Sequence, residues 1–179
     1  MRRVRYSVVM SLDGYIAGPK GEADWIPTDP EFDFNALFSQ FDTLLVGRRT
    51  FDRMVTAKRV SMPGMKTIVF SRTLRQKDHP EVAIVGDGHR EAMATLKAAP
   101  GKDIWLFGGG ELFRSLAEDG LVDTVEIRIV PILLGAGVPL LANHAKQIQL
   151  SLTAHKGGTE AAGVVHSVLS ELGFFEQDG

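Results

Sequence analysis

The chain has 179 residues, a length suited to one domain able to bury on the order of 70% of its unfolded surface. Hydrophobic residues make up 44% and charged residues 23%, which argues against disorder and against a membrane protein, and a formal net charge of -2 without any Lys/Arg run argues against a nucleic-acid partner. Cysteine is absent, so disulfides, thiolate catalysis and cysteine-ligated zinc are excluded, in keeping with a reducing, cytoplasmic setting.

Met1, Arg2 and Arg3 precede an apolar run that stops at Met10 with Asp13 close behind, which predicts a strand and not a signal peptide. No stretch approaches the roughly 20 apolar residues that span a bilayer. Residues 3–10 set Arg3, Arg5 and Ser7 against Val4, Tyr6 and Val8 with period two, and the apolar end at residues 8–10 predicts burial on both faces. Residues 11–28 form a long loop with Gly14, Gly18, Pro19, Gly21 and Pro27, and its embedded Tyr15, Ile16 and Trp25 favour a functional role. Asp29 followed by Pro30 predicts a helix start capped by Asp29, with Phe34, Leu37, Phe38 and Phe41 on one apolar stripe.

Short strands follow at residues 43–46, 67–70 and 82–85, with a helix beginning at Gly47-Arg48-Arg49-Thr50 and another near residues 90–98. This alternation predicts a largely parallel sheet with helical crossovers. A strand at residues 103–107 enters Gly108-Gly109-Gly110, and the helix beyond carries Leu112, Phe113, Leu116 and Ala117 on one face before Gly120 ends it. Farther on, Val125, Ile127 and Ile129 alternate with Thr124, Glu126 and Arg128, and Ile148, Leu150 and Leu152 alternate with Gln147, Gln149 and Ser151. With a last strand at residues 163–169, the C-terminal third is expected to be mainly antiparallel β. No internal repeat, low-complexity tract or linker breaks the chain, so residues 1–179 are expected to form a single domain.

Three strand ends carry groups suited to an anion. Glycines let backbone approach a ligand closely, and a following helix N-terminus presents free N–H groups, so Gly108-Gly109-Gly110 would suit a dinucleotide phosphate. It is not a Rossmann fingerprint, because the G-x-G-x-x-G spacing is missing and Glu111 follows directly; a plain turn is the competing reading. Gly47-Arg48-Arg49-Thr50 offers guanidinium groups able to bind phosphate bidentately, and Ser71-Arg72 adds a hydroxyl and a cation. For each arginine, solvated surface charge is the alternative. Ligands of open α/β sheets sit at the carboxyl ends of strands, so the three turns are expected to line one cleft.

Five segments together resemble the dihydrofolate reductase-like proteins, and among them the reductase domain of riboflavin biosynthesis and its stand-alone relatives. They are Ser11-Leu12-Asp13-Gly14-Tyr15-Ile16-Ala17, Leu45-Val46-Gly47-Arg48-Arg49-Thr50-Phe51, Ile68-Val69-Phe70-Ser71-Arg72, Ile104-Trp105-Leu106-Phe107-Gly108-Gly109-Gly110, and the run from Pro131 through Gly135-Ala136-Gly137 to Leu140. The resemblance implies an α/β fold of three α/β/α layers, with a mixed central sheet that is parallel in its core and antiparallel in its C-terminal strands. It also implies NADPH lying across the strand ends, a cis Gly108–Gly109 peptide and a homodimer. Ile16 and Ala17 would then contact the nicotinamide, Arg48 and Thr50 the phosphates beside Gly47, and Ser71 and Arg72 the adenosine 2′-phosphate. Gly108, Gly109, Gly110, Glu111 and Leu112 would face the pyrophosphate, with Arg49 a further candidate.

Classical folate reductases place an acid on the first helix, and Asp29, Glu31 and Asp33 stand near that point. Two readings stay open for them: helix capping and dipole complementarity, or proton donation to the substrate from an apolar cleft. Asp13 shares its Ser-Leu-Asp-Gly context with the riboflavin-type relatives, but Asp-Gly is also a turn former. Trp25 either walls the substrate cleft or pins the long loop. The five histidines, His79, His89, His144, His155 and His166, show no metal-ligand spacing, and no Gly-x-Ser-x-Gly elbow is present. The functional expectation is an NADPH-dependent reductase acting on a small pterin-, folate- or ribosylaminopyrimidine-like substrate. The riboflavin assignment is weakened by the lack of a deaminase domain with its cysteine ligands, and the rival is a non-catalytic NADPH-binding module acting as sensor or oligomer component.

Overall fold

The computed structural model describes residues 1–28, 32–142, 147–157 and 166–172. The elements, in order, are β1 (Val4–Ser11), β2 (Tyr15–Ala17), α1 (Phe34–Phe38), β3 (Phe41–Gly47), α2 (Arg48–Thr56), β4 (Lys66–Phe70), β5 (Ala83–Val85), α3 (His89–Ala98), β6 (Asp103–Gly108), α4 (Gly110–Glu118), β7 (Thr124–Val130), β8 (Val138–Pro139), β9 (Leu150–Gly157) and β10 (His166–Leu172). An eight-stranded sheet runs β5-β4-β3-β6-β1-β7-β10-β9, and β2 with β8 makes a separate two-stranded ribbon. Six strands from β5 to β7 are parallel; β10 runs antiparallel to β7, and β9 antiparallel to β10.

Alternation along the strands builds two cores. Val4 and Tyr6 of β1, Leu45 of β3 and Ile104 and Leu106 of β6 pack with Met93 of α3 and with Leu112, Phe113 and Leu116 of α4. Their neighbours in sequence point the other way: Leu44, Val46, Val69 and Trp105 pack with Phe51 and Met54 of α2 and with Leu37 and Phe38 of α1. The sheet is thus covered by α3 and α4 on one face and by α1 and α2 on the other, three layers as the fold family has them. Tyr6 is fully buried, stacks on Phe113 with ring centroids 4.0 Å apart, and is kept neutral because burial pushes its phenol up.

Several expectations need correction. The helix start expected at Asp29 and Pro30 lies outside the described residues, together with Glu31; among the described residues α1 begins at Phe34, with Asp33 as cap. Phe41 is not on its apolar stripe but opens β3, where an aromatic side chain fills the core beneath Trp105 at 5.3 Å. The C-terminal third is antiparallel as expected where β7, β10 and β9 pair, and β7 in addition pairs parallel with β1 from Arg5 to Ser11. Residues 8–10 are only half-buried, since a cleft opens over that part of the sheet. The last strand runs from His166 to Leu172; residues 163–165 are outside the described set.

The long loop after β1 is tied down more firmly than its composition suggests. Its strand β2 pairs with β8, and a Cβ on Gly137 would sit 2.2 Å from the Ala17 carbonyl oxygen, so only glycine allows this approach. Asp13 anchors the opposite turn: it accepts from the Ser11 hydroxyl at 2.6 Å and from the N–H groups of Leu134 at 3.1 Å and Gly135 at 2.7 Å. Chiefly the Ser11 hydroxyl, and then those two N–H groups, hold the Asp13 carboxyl below its ordinary value of 3.8. A depressed carboxylate stabilises the fold above its unfolded pKa and loses that contribution as pH falls through its folded pKa.

Asp13→Asn should therefore speed amide hydrogen exchange at Leu134 and Gly135 near neutral pH. The difference from wild type should close only below pH 3.8. Gly110 makes a second tight contact, where an added Cβ would meet the Pro139 carbonyl oxygen at 2.7 Å. Gly110→Ala should lower stability in urea unfolding by about 1–3 kcal/mol, the usual cost of overpacking against backbone.

Candidate active site

Because six strands run parallel, their carboxyl ends share one edge of the sheet. At that edge β3 and β6 lie side by side, with Val46 opposite Gly108, and each passes directly into a helix. Neither Gly47, which precedes α2, nor Gly109, which precedes α4, supplies a side-chain cap. The first-turn N–H groups of both helices are left without a side-chain acceptor. Gly109 has φ +98°, a conformation that favours glycine, and Cβ atoms at Gly108 and Gly109 would lie 3.4 and 3.6 Å from the Thr50 hydroxyl. The Gly108–Gly109 peptide is trans, contrary to the expectation of a cis bond; the positive φ at Gly109 makes the turn instead.

The turn after β4 joins this edge through Arg48, whose guanidinium donates to Asp52 at 3.0 Å and to the Thr73 hydroxyl. Ser71 is buried there, and its hydroxyl accepts from the N–H groups of Thr73 at 3.3 Å and Leu74 at 3.2 Å. Arg49 and Arg72 are exposed. Glu111 is exposed too, with its carboxylate 3.1 Å from the Arg114 guanidinium three residues on, so a counter-charge accompanies it.

A cleft of about 1040 Å³ starts at this glycine edge and runs across the α1–α2 face of the sheet. Its floor is built from alternate residues of three adjacent strands: Trp105 and Phe107 of β6, Ser7 and Val9 of β1, and Glu126 and Arg128 of β7. Phe32, Phe34 and Leu37 form one wall, and Thr50, Arg53 and Met54 of α2 another. The loop after β1 closes over it with Ile16, Ala17, Ile26 and Pro27. Ligand pockets are commonly about 300–1,000 Å³, so this one has room for two ring systems.

Of the residues singled out from the sequence, Ile16, Ala17, Thr50, Gly108 and Gly109 line the cleft. Gly47, Arg48, Arg49, Ser71, Arg72, Gly110, Glu111 and Leu112 belong to the strand-end turns beside it. Trp25 is half-buried with its indole Nε1 unpartnered among the described residues, and the cleft is lined by its neighbours Ile26 and Pro27. Asp13 is engaged with the turn at Leu134 and Gly135, and Asp33 is exposed and accepts from the Ala36 N–H at 2.8 Å. Asp29 and Glu31 lie outside the described residues.

Sequence reasoning missed the charged floor. Glu126 accepts from Arg5 at 2.5 and 3.0 Å, and Arg128 lies 3.7 Å over the Phe32 ring. Burial works against the charge on Arg5, but Glu126 and then Asp103 hold its guanidinium above the ordinary range. The available signal was two charges at alternate positions of residues 124–130, in a strand whose apolar neighbours demand burial.

Comparison with known proteins supplies the ancestry. The model of the RibD C-terminal domain matches residues 2–162. The Bacillus subtilis protein YyaP is 35% identical over 179 residues, covering 93% of this chain and 94% of its own. Among solved structures, a candidate riboflavin biosynthesis protein from Shewanella sp. PV-4 superposes with a TM-score of 0.79 at 25% identity, covering 97% of this chain and 99% of the other. A dihydrofolate reductase from Enterococcus faecalis complexed with NADP(H) shares the fold with a TM-score of 0.70 at 18% identity over 95% of both chains. On this match over most of its length, the chain belongs to the RibD C-terminal domain family.

Proposed function

We propose that the protein is an NADPH-dependent reductase of a small nitrogen heterocycle, of pterin or ribosylaminopyrimidine type. The observation that carries this reading is the single cleft connecting two uncapped helix N-termini to an apolar chamber with a charged floor. The residues present fit a nicotinamide dinucleotide: Gly109 has φ +98°, and the start of α4 opens toward the strand ends without a capping side chain. The family and the NADP(H) complex of the Enterococcus enzyme point the same way.

When bound, NADPH supplies the hydride, which adds with a proton across an electron-poor C=N or C=O bond of the substrate. The remaining work falls to the chain. The backbone N–H groups at residues 47–50 and 108–112, with Arg48 and Arg49, hold the pyrophosphate, and Ser71 and Arg72 take the adenosine end. Ile16 and Ala17 press on the nicotinamide from the loop, while Trp105 and Phe107 give the substrate ring an apolar aromatic floor. Confining both rings between these walls supplies the proximity that hydride transfer needs.

Loss of NADPH absorbance with a panel of dihydropterins, aminopyrimidine ribosides and quinonoid compounds tests the activity. Oxidation by at least one compound is expected. Tight NADPH binding with turnover of none would identify a binding module instead. Cofactor choice has its own test. The 2′-phosphate needs a cation at the adenosine end, and Arg72 is exposed beside that turn. A charge-assisted hydrogen bond is worth about 1.5–3 kcal/mol, so Arg72→Ala should weaken NADPH by roughly ten- to a hundredfold and leave NADH nearly unchanged, with an effect that shrinks as salt rises. Equal dissociation constants for wild type and variant with both cofactors would remove Arg72 from the site.

A further inference from the structure

Of the acids expected near the first helix, Asp33 is the described one and does not line this cleft, yet a carboxylate stands on the cleft floor. Glu126 belongs to β7, an interior strand with β1 on one side and β10 on the other. A charge there is costly to desolvate, and an apolar side chain would serve packing alone at lower cost. Arg5 holds it in a two-pronged fork, Nε to Oε1 at 2.5 Å and Nη2 to Oε2 at 3.0 Å. Arg5 is in turn fixed by Gln40 at 2.8 Å and by Asp103 at 3.4 Å, and it lies 4.6 Å over the Phe41 ring. The Glu126 carboxylate is thereby oriented before any ligand arrives.

A carboxylate offers about four lone-pair sites, and the Arg5 fork uses one on each oxygen. The Thr124 hydroxyl adds a long contact to Oε1 at 3.5 Å. Acceptor capacity remains on a side chain that is 18% accessible and lines the cleft. Two residues along the same face, about 7 Å by strand geometry, Arg128 stacks on Phe32 and presents a planar cation. Across β1 from them, on β6, stand Trp105 and Phe107, whose rings meet edge to face at 5.3 Å.

We propose that Glu126 is the substrate-reading carboxylate of the cleft: it accepts N–H bonds from the amidine-like edge of a planar heterocycle, a ring nitrogen beside an exocyclic amino group. Arg5 acts as its positioning residue, and Arg128 meets the carbonyl side of the same ring. The specificity-setting acid of this proposal is therefore on the sheet. This inference rests on the reductase reading and refines its substrate class.

The test is calorimetric and needs no turnover. Pterin, which carries a 2-amino group, and 4-oxopteridine, which lacks it, are titrated into the full-length protein, with NADPH titrated separately. Wild type should prefer pterin by at least about tenfold, the worth of one hydrogen bond to a charged acceptor. Glu126→Gln should reduce that preference to within about twofold and leave NADPH affinity unchanged. If this variant does not fold, Glu126→Asp, which keeps the charge near Arg5 but retracts it from the cleft, must lose the preference as well. A folded variant with the wild-type preference, or a wild type with none, overturns the proposal. Wild-type protein that discriminates the pteridines but binds no NADPH would contradict the reductase reading and leave the role of Glu126 standing.

Discussion

Every strand of a parallel sheet delivers its carboxyl end, and the amino end of the helix that follows, to the same edge. In this chain that requirement brings Gly47, Phe70 and Gly108 together, although they are scattered along the sequence, because β4, β3 and β6 are successive neighbours. The helices that begin there lie on opposite faces, α2 on one and α4 on the other, yet both present uncapped N-termini at that edge. A polyanion would meet oriented N–H groups from two directions. Arg48 ties the third turn to this edge through Thr73.

The cleft follows from what the helices leave bare. On its face of the sheet α2 packs chiefly on β3 and β4, and α1 on β3, so among the described residues the helices are centred away from β1 and β7 there. The loop of residues 11–28 spans the gap instead, pinned by the β2–β8 ribbon and by Asp13. A roofed space over the sheet is the result, with charged side chains where a helix-covered strand would bury apolar ones. Glu126 is tolerable in that position because Arg5 compensates it, and Arg5 because Asp103, Gln40 and the Phe41 ring surround it. Preorganised charge in an apolar cleft is the feature that separates this face from the opposite one, where α3 and α4 close the sheet with hydrophobic contacts.

Most of the strand-and-turn framework was legible from local signals. Period-two alternation located β1 and β7, short apolar runs located β3, β4 and β6, and the glycines marked the turns that prove to share an edge. Signals that depend on distant partners failed. The three residues of β2 look like loop because their pairing partner, β8, lies more than 120 residues away. Asp33, which the sequence offered only as an acid near a helix start, caps α1 by accepting from the Ala36 N–H. Glu126 and Arg128 read as the solvent side of an amphipathic strand, and only the placement of β7 inside the sheet turns them into a cleft floor. Asp13 was legible as a turn residue, and its carboxylate is found in that turn; Asp33 was legible as an acid at a helix start, with the cap expected at Asp29.

The central claim is that the glycine edge and the cleft are one cofactor-and-substrate site. Titrating NADPH into ¹⁵N-labelled protein and following backbone amide shifts tests it most directly. Saturable shifts are expected at residues 16–17, 47–50, 71–72 and 108–112, grouped along the edge and the cleft roof. Saturation that leaves those amides unmoved while perturbing β9 or the α3–α4 face would contradict it.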